Sequence, residues 1–234
     1  MTIVAALLVP GSPLPQVARD NPPWGALADA LEAAGAALAK AAPDTLVIYS
    51  TQWLAVLDEL WLTRARMQGE HVDDNWHEYG ALPYDIRIDT QLTQAIVAAT
   101  PAVGVRSKGV DYDGFPLDTG TIVASNFLNP DGRAALAVAA NNLYHDWQTT
   151  EQLGRVAAQQ AQALGRRIAV VGVGADAHAQ AALLPYCQDG AHGSVFDGAE
   201  DRLDFSDVLT FEMEEIMGRP KAAAPASPVC ASRS

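Results

Sequence analysis

The densest run of chemistry-bearing side chains is His71-Val72-Asp73-Asp74-Asn75-Trp76-His77-Glu78-Tyr79, which gathers two histidines and three acids. Such residue types bind metals, but the step from His71 to His77 matches no standard structural-site spacing. A run this charged also suits a solvated loop. A second segment, Gly172-Val173-Gly174-Ala175-Asp176-Ala177-His178, follows an apolar stretch. Glycines there can let a phosphate approach a helix N-terminus. The spacing is not Gly-x-Gly-x-x-Gly, however, and the segment lies late in the chain, away from a first βαβ unit. His178 has the titration range of a proton shuttle near neutrality, and it equally fits a strand end without catalytic duty. Asp118, in Asp118-Thr119-Gly120-Thr121, is a good helix N-cap as well as a candidate pocket carboxylate. Asn141 and Asn142 could close a turn by local hydrogen bonds or touch a substrate.

The elements that must position these residues alternate in type. Ile3–Val9 reads as a buried strand and runs into Pro10-Gly11-Ser12-Pro13-Leu14-Pro15. Asn21-Pro22-Pro23 caps a helix over about 24–41, with Leu27, Leu31, Ala34 and Leu38 at three- and four-residue steps. Leu46–Tyr49 is a second strand, leading to Ser50-Thr51-Gln52-Trp53. A helix over about 90–99 precedes a strand near Val103–Arg106. Asp118 opens a helix through Phe127, and Ala134–Ala139 reads as a buried strand. Thr149 with Gln152 makes a capping box for a helix that Gly165 ends, and Ile168–Val171 is a further strand. Strands alternating with helices predict a single α/β domain, with a mostly parallel central sheet flanked by helices. Functional loops of such sheets gather at the carboxyl ends of the strands. The loops at 10–15, 50–53, 140–148 and 172–178 are therefore expected to converge on one cleft.

Composition narrows the function. With 234 residues and 49% hydrophobic content, one well-cored domain is expected over 1–217, with a low-complexity tail over 218–234. No apolar run approaches the roughly 20 residues of a transmembrane helix. The N-terminus lacks the basic start of a signal peptide. Twenty-eight acids against fifteen bases leave a net charge of −13, which opposes nucleic-acid and anionic-membrane partners. Cys187 and Cys230 form no disulfide framework, consistent with a reducing cytoplasm.

Leu8-Val9-Pro10, Tyr49-Ser50-Thr51-Gln52-Trp53, Asp118-Thr119-Gly120-Thr121 and His178, in this order, resemble the class III extradiol ring-cleaving dioxygenases of the protocatechuate 4,5-dioxygenase superfamily. The resemblance covers roughly residues 1–180. It implies an iron site fed by a Pro-His-Pro-Pro loop and a Ser-Pro-His-Trp loop, and here Gly11 and Gln52 stand where those histidines would be. It also implies that His178 matches the family acid/base histidine, with Ala177 in place of a serine. The third ligand, a glutamate, lies far downstream in the family. Here Glu212, Glu214 and Glu215 lead straight into the tail. Neither glycine nor a neutral amide suits Fe(II), which takes imidazole and carboxylate. A vacated cleft is thus expected from Gly11, Ser12, Gln52, Trp53, Asp118, Asn142 and His178, with no metal in this chain.

Within that superfamily, the aminophenol-cleaving branch pairs a metal-free alpha subunit with a homologous iron-bearing beta subunit. The resemblance implies a non-catalytic, stabilising role for this chain in a cytoplasmic α2β2 heterotetramer. Fe(II) in the partner would open 2-aminophenol or a substituted relative, in the catabolism of nitro- and aminoaromatics. Leu82-Pro83-Tyr84-Asp85 resembles a loop of the family, and Trp53, Trp61, Trp76 and Tyr79 are candidates for an apolar contact surface. Two alternatives stand beside this expectation. One is a metal-independent enzyme using His178 with Asp118 or Gln52. The other is a small-molecule binding or scaffold protein on a retired enzyme fold.

Overall fold

The strands that read as unbroken apolar runs do so because helices cover both faces of the sheet. The computed structural model describes residues 2–21, 24–174 and 196–197. In chain order these form β1 (Ile3–Pro10), α1 (Leu14–Val17), α2 (Trp24–Ala41), β2 (Thr45–Ala55), β3 (Glu59–Leu62), β4 (Arg66–His71) and β5 (Leu82–Arg87). Then come α3 (Thr90–Ala99), β6 (Ser107–Val110), α4 (Thr119–Leu128), β7 (Ala135–Asn142), α5 (Trp147–Ala163), β8 (Ile168–Gly174) and β9 (Phe196–Asp197).

Seven strands make one sheet in the order β6-β3-β7-β2-β8-β1-β9. β1, β8, β2 and β7 pair in parallel, and β3 pairs parallel with β6. The exceptions are β9 against β1 and β3 against β7, where Trp61 faces Ala139 in antiparallel register. One face packs Leu46 and Ile48 of β2 against Leu27, Leu31 and Leu38 of α2 and Ile122 of α4. The opposite face packs Val47 and Tyr49 against Leu92 and Ile96 of α3 and Leu153 and Val156 of α5. Alternate residues of one strand thus enter two cores, which fixes the register of β2. The mostly parallel α/β architecture expected from the alternation is present.

Several local expectations change. The strand placed near Val103–Arg106 lies later, at Ser107–Val110, because Thr100–Val103 winds into a 3-10 turn that ends at Gly104 with φ 81°. Leu82-Pro83-Tyr84-Asp85 is not a loop; it forms most of β5, paired antiparallel with β4 in a two-stranded hairpin. The cap of α5 is Asp146, whose side chain accepts from the Thr149 amide, rather than a Thr149–Gln152 box. Gly165 does end that helix, at φ 66°. No helix of the described residues is long and apolar enough to cross a membrane. The tail expected at 218–234 lies outside the described residues.

Candidate functional site

At the carboxyl end of the sheet, β2 does not stop at Tyr49. Its pairing with β7 jumps from Ser50–Ala140 to Leu54–Asn141, so Thr51, Gln52 and Trp53 fall in an irregularity inside the strand. Bulges of this kind re-aim side chains next to functional sites. Here Gln52 is aimed at two neighbouring segments. Its Nε2 donates to the Gly11 carbonyl at 3.1 Å, and its Oε1 accepts from the Gly120 amide at 2.6 Å. The reverse placement of the amide would set oxygen against oxygen, so the network fixes its orientation.

Asp118 stands one residue before α4 and caps it, accepting from the Thr121 amide at 2.9 Å. The same oxygen accepts from the Ser50 hydroxyl at 2.6 Å. Its other oxygen is buried and has no partner among the described residues. Asp118 therefore caps α4 and ties it to Ser50 of β2. Ser12 accepts from the Leu14 amide at 3.3 Å and turns the chain into α1. Trp53 packs edge-on against Phe115, which packs edge-on against Tyr112, each with ring centroids 5.3 Å apart. Asn142 accepts from the Tyr144 amide at 3.1 Å, as a turn-closing asparagine does. The structure thus brings Gly11, Gln52 and Asp118 together through hydrogen bonds. His178 lies outside the described residues.

The histidine-rich run comes apart in space. His71 and Asp73 meet on one hydroxyl: His71 Nε2 lies 3.0 Å from Thr119 Oγ1, and Thr119 donates to Asp73. His77 sits apart, with its ring against the Asp74 carbonyl. The first pair moors the β4–β5 hairpin beside the first turn of α4, and the histidines do not share a site. Among the described residues, no group of three or more histidine, cysteine, aspartate or glutamate side chains could hold a metal ion. Trp61 is also displaced from its expected surface role. It is fully buried in the core that contains Tyr49, Ile96 and Leu153, while Tyr79 is exposed.

Sequence reasoning missed a second polar cluster, beneath the face covered by α3 and α5. Glu59 opens β3 and is 0% exposed, and neither carboxylate oxygen has a hydrogen-bond partner among the described residues. Extending the antiparallel register from Trp61–Ala139 sets Glu59 opposite Asn141, which accepts from the Tyr49 hydroxyl at 3.1 Å. His145 Nδ1 lies 3.5 Å from Glu59 Oε2, and the Trp61 indole N–H is also buried without a partner. Burial drives the Glu59 carboxyl well above the ordinary 4.5. Burial also lowers the His145 imidazole, against the opposing pull of Asp146. Both shifts disfavour the charged forms, so burial works against an ion pair at this contact.

An iron ion, which the sequence resemblance implies at the first two loops, does not fit these residues. A Cβ at position 11 would lie 2.6 Å from both Gln52 Nε2 and the Gly174 carbonyl oxygen. Gly174 is backbone and cannot swing aside, and the Gly11 amide already donates to it. Gln52 has both polar atoms engaged, and a neutral amide is a poor ligand besides.

A family model described as the catalytic LigB subunit of aromatic ring-opening dioxygenase matches residues 10–217. A 2-aminophenol 1,6-dioxygenase alpha subunit from a Pseudomonas species is 47% identical over 208 residues, covering 87% of this chain and 71% of that one. A 2-aminophenol 1,6-dioxygenase beta subunit, also from a Pseudomonas species, is 25% identical over 164 residues, covering 66% of this chain and 53% of its own length. A solved structure of an uncharacterised Escherichia coli K12 protein aligns with a TM-score of 0.49 at 12% identity, over 73% of this chain and 59% of that one. That last likeness is too slight to carry an argument. The match from residue 10 to 217 and the 47% identity establish that this chain belongs to the LigB family of aromatic ring-opening dioxygenase subunits, the class III extradiol type.

Proposed function

We propose that this chain is the non-catalytic, alpha-type subunit of a two-subunit extradiol dioxygenase that opens the ring of 2-aminophenol or a substituted 2-aminophenol. On this reading a homologous beta-type subunit holds Fe(II) and performs the O₂ chemistry, in a cytoplasmic α2β2 assembly. One observation carries the reading. At the two positions where the family resemblance puts histidine ligands, Gln52 has both polar atoms engaged with backbone and Gly11 has no side chain to coordinate anything. The 47% identity to a named alpha subunit supports the alpha-type assignment.

The role left to the chain is mechanical. Leu54, Val56, Leu57, Leu143 and Tyr144 are exposed, and the Leu143 amide donates to the Ala55 carbonyl at 3.0 Å, which ties their two segments together. Grouped apolar exposure of this kind suits a protein interface, and this is the face we assign to the beta-type subunit. Co-expression with a homologous iron-bearing chain tests the reading. Iron content and O₂-dependent ring cleavage are measured for each chain and for the complex. Iron and activity are expected with the beta-type chain, and full turnover only in the complex. Stoichiometric iron or ring cleavage by this chain alone would sink the proposal. Failure of the two chains to co-purify would favour a scaffold on a retired fold.

A further inference from the structure

We propose that the Gln52 carboxamide is a clasp locking the end of β1 and the irregular stretch of β2 to the start of α4, and that the clasp, together with the Gly174 carbonyl at Gly11 and Val173 at Gly120, leaves no room for a Cβ at either glycine. Four observations converge on it. The amide spans two backbones, donating to the Gly11 carbonyl at 3.1 Å and accepting from the Gly120 amide at 2.6 Å. A Cβ at Gly11 would lie 2.6 Å from Gln52 Nε2, and one at Gly120 would lie 3.0 Å from Gln52 Oε1 and 2.6 Å from Val173 Cγ1. A second bridge runs alongside the first: Ser50 donates to Asp118 while the Gln52 amide N–H donates to Ser50 Oγ at 3.3 Å. Thr51 adds a third tie, donating to the Val173 carbonyl at 2.9 Å and so joining β2 to β8.

The chemistry explains why an amide serves. The two backbone groups to be matched are one acceptor, the Gly11 C=O, and one donor, the Gly120 N–H. A carboxamide presents one donor and one acceptor on a single planar group. A carboxylate has no donor for Gly11, and an aliphatic side chain has neither. The Gly120 amide is one of the first-turn groups of α4 that no intrahelical carbonyl can satisfy. Gln52 thus extends the capping of α4 that Asp118 begins at Thr121. The clasp closes this end of the sheet whatever partner the chain assembles with, and a ligand placed there would have to displace it.

Two variants test the clasp in the full chain. Gln52→Met keeps volume and removes both hydrogen bonds. Gln52→Glu keeps the acceptor for Gly120 but sets a carboxylate against the Gly11 carbonyl, a conflict repaired only when the introduced acid is protonated. The clasp predicts roughly tenfold or more faster amide exchange at Gly120 in Gln52→Met, with exchange at Ile96 and Leu153 unchanged. It also predicts that the thermal midpoint of Gln52→Glu approaches the parent's in acid and falls away from it as pH rises through the carboxyl range. A Gln52→Glu deficit independent of pH would overturn the clasp. So would unchanged Gly120 exchange in Gln52→Met. If Gln52→Met does not fold, the pH profile of Gln52→Glu decides alone.

Discussion

Two polar groups sit beside the central sheet near its carboxyl end, and they are treated in opposite ways. On the α4 side, Gln52 has both polar atoms matched to backbone, and two glycines keep their neighbours out of its way. On the α3 and α5 side, Glu59 is sealed from solvent with neither oxygen matched among the described residues, beside an indole N–H in the same condition. A buried hydrogen bond that is made contributes about 1 kcal/mol, whereas a buried polar group left unmade costs about 1–3 kcal/mol. The first region therefore holds the fold together and the second strains it. A third buried acid shows that the difference lies in partners rather than residue type. Asp89 pays for burial too, but it accepts from Arg166 at 2.8 Å and Thr45 at 2.7 Å and caps α3, so the balance lowers its pKa and it stays charged.

The largest expected effect probes the satisfied side. Gly11→Ala drives a Cβ into the Gly174 carbonyl and the Gln52 amide, and overpacking of this kind costs about 1–3 kcal/mol. We place it near the upper end because one of the two obstacles is backbone. Urea denaturation of the single variant, and of Gly11→Ala combined with Gln52→Ala, reads the coupling. The double variant is expected to be more stable than the sum of the two single losses allows, since removing the amide removes one of the two clashes. Strict additivity would mean that Gly11 and Gln52 do not meet.

This contrast was only half legible in the sequence. The apolar runs of β1, β2, β7 and β8, and the Asp118 cap, follow from local pattern, and they suffice to gather Gly11, Gln52 and Asp118 at one end of the sheet. The clasp itself was not legible. Gln52 shows as a missing ligand in a row of residues, but its two partners are 41 and 68 positions away. Glu59 was hidden for a related reason. It follows Asp58, an acid that does meet Lys108 at 2.8 Å and Arg106 at 3.3 Å, and nothing local separates the two. The strand that starts at Glu59, paired with β6 from Ser107 and with β7 at Trp61–Ala139, seals the second acid in the core, while the first stays partly exposed beside its two cations. β4 and β5 escaped notice because they form a separate hairpin with exposed polar positions, so no buried apolar run betrays them.

A smaller effect of opposite sign is expected on the unsatisfied side. Glu59→Met exchanges a buried acid with no hydrogen-bond partner among the described residues for an apolar chain of similar length, removing the cost of a buried unmatched polar group, about 1–3 kcal/mol. We expect a gain of about 1 kcal/mol in chemical denaturation, the mirror of the loss from Gln52→Met. A loss of equal size in both variants would break the comparison, since it would mean that Glu59 is held by bonds as good as those of Gln52.

The subtlest expectation concerns pH, and it separates Glu59 from His145. Glu59 has a folded pKa raised above its ordinary 4.5, so its contribution favours the fold in acid and declines as pH rises toward the folded value. His145 is lowered from 6.5, so its contribution is complete above that value and declines as pH falls toward the folded one. Glu59→Gln leaves a group that cannot titrate. Compared with the parent in urea titrations across a pH series, it should flatten only the part of the profile that starts near 4.5 and descends with rising pH. His145→Gln should flatten only the part that descends below about 6.5. Asp146 faces the imidazole from the start of α5 and opposes its shift. Asp146→Asn should therefore extend the acid-side decline slightly, by letting burial act on His145 unopposed. If Glu59→Gln leaves the profile unchanged, Glu59 keeps an ordinary pKa in the folded chain. Its oxygens are then solvated or paired, and the two faces of the sheet do not differ as their geometry implies.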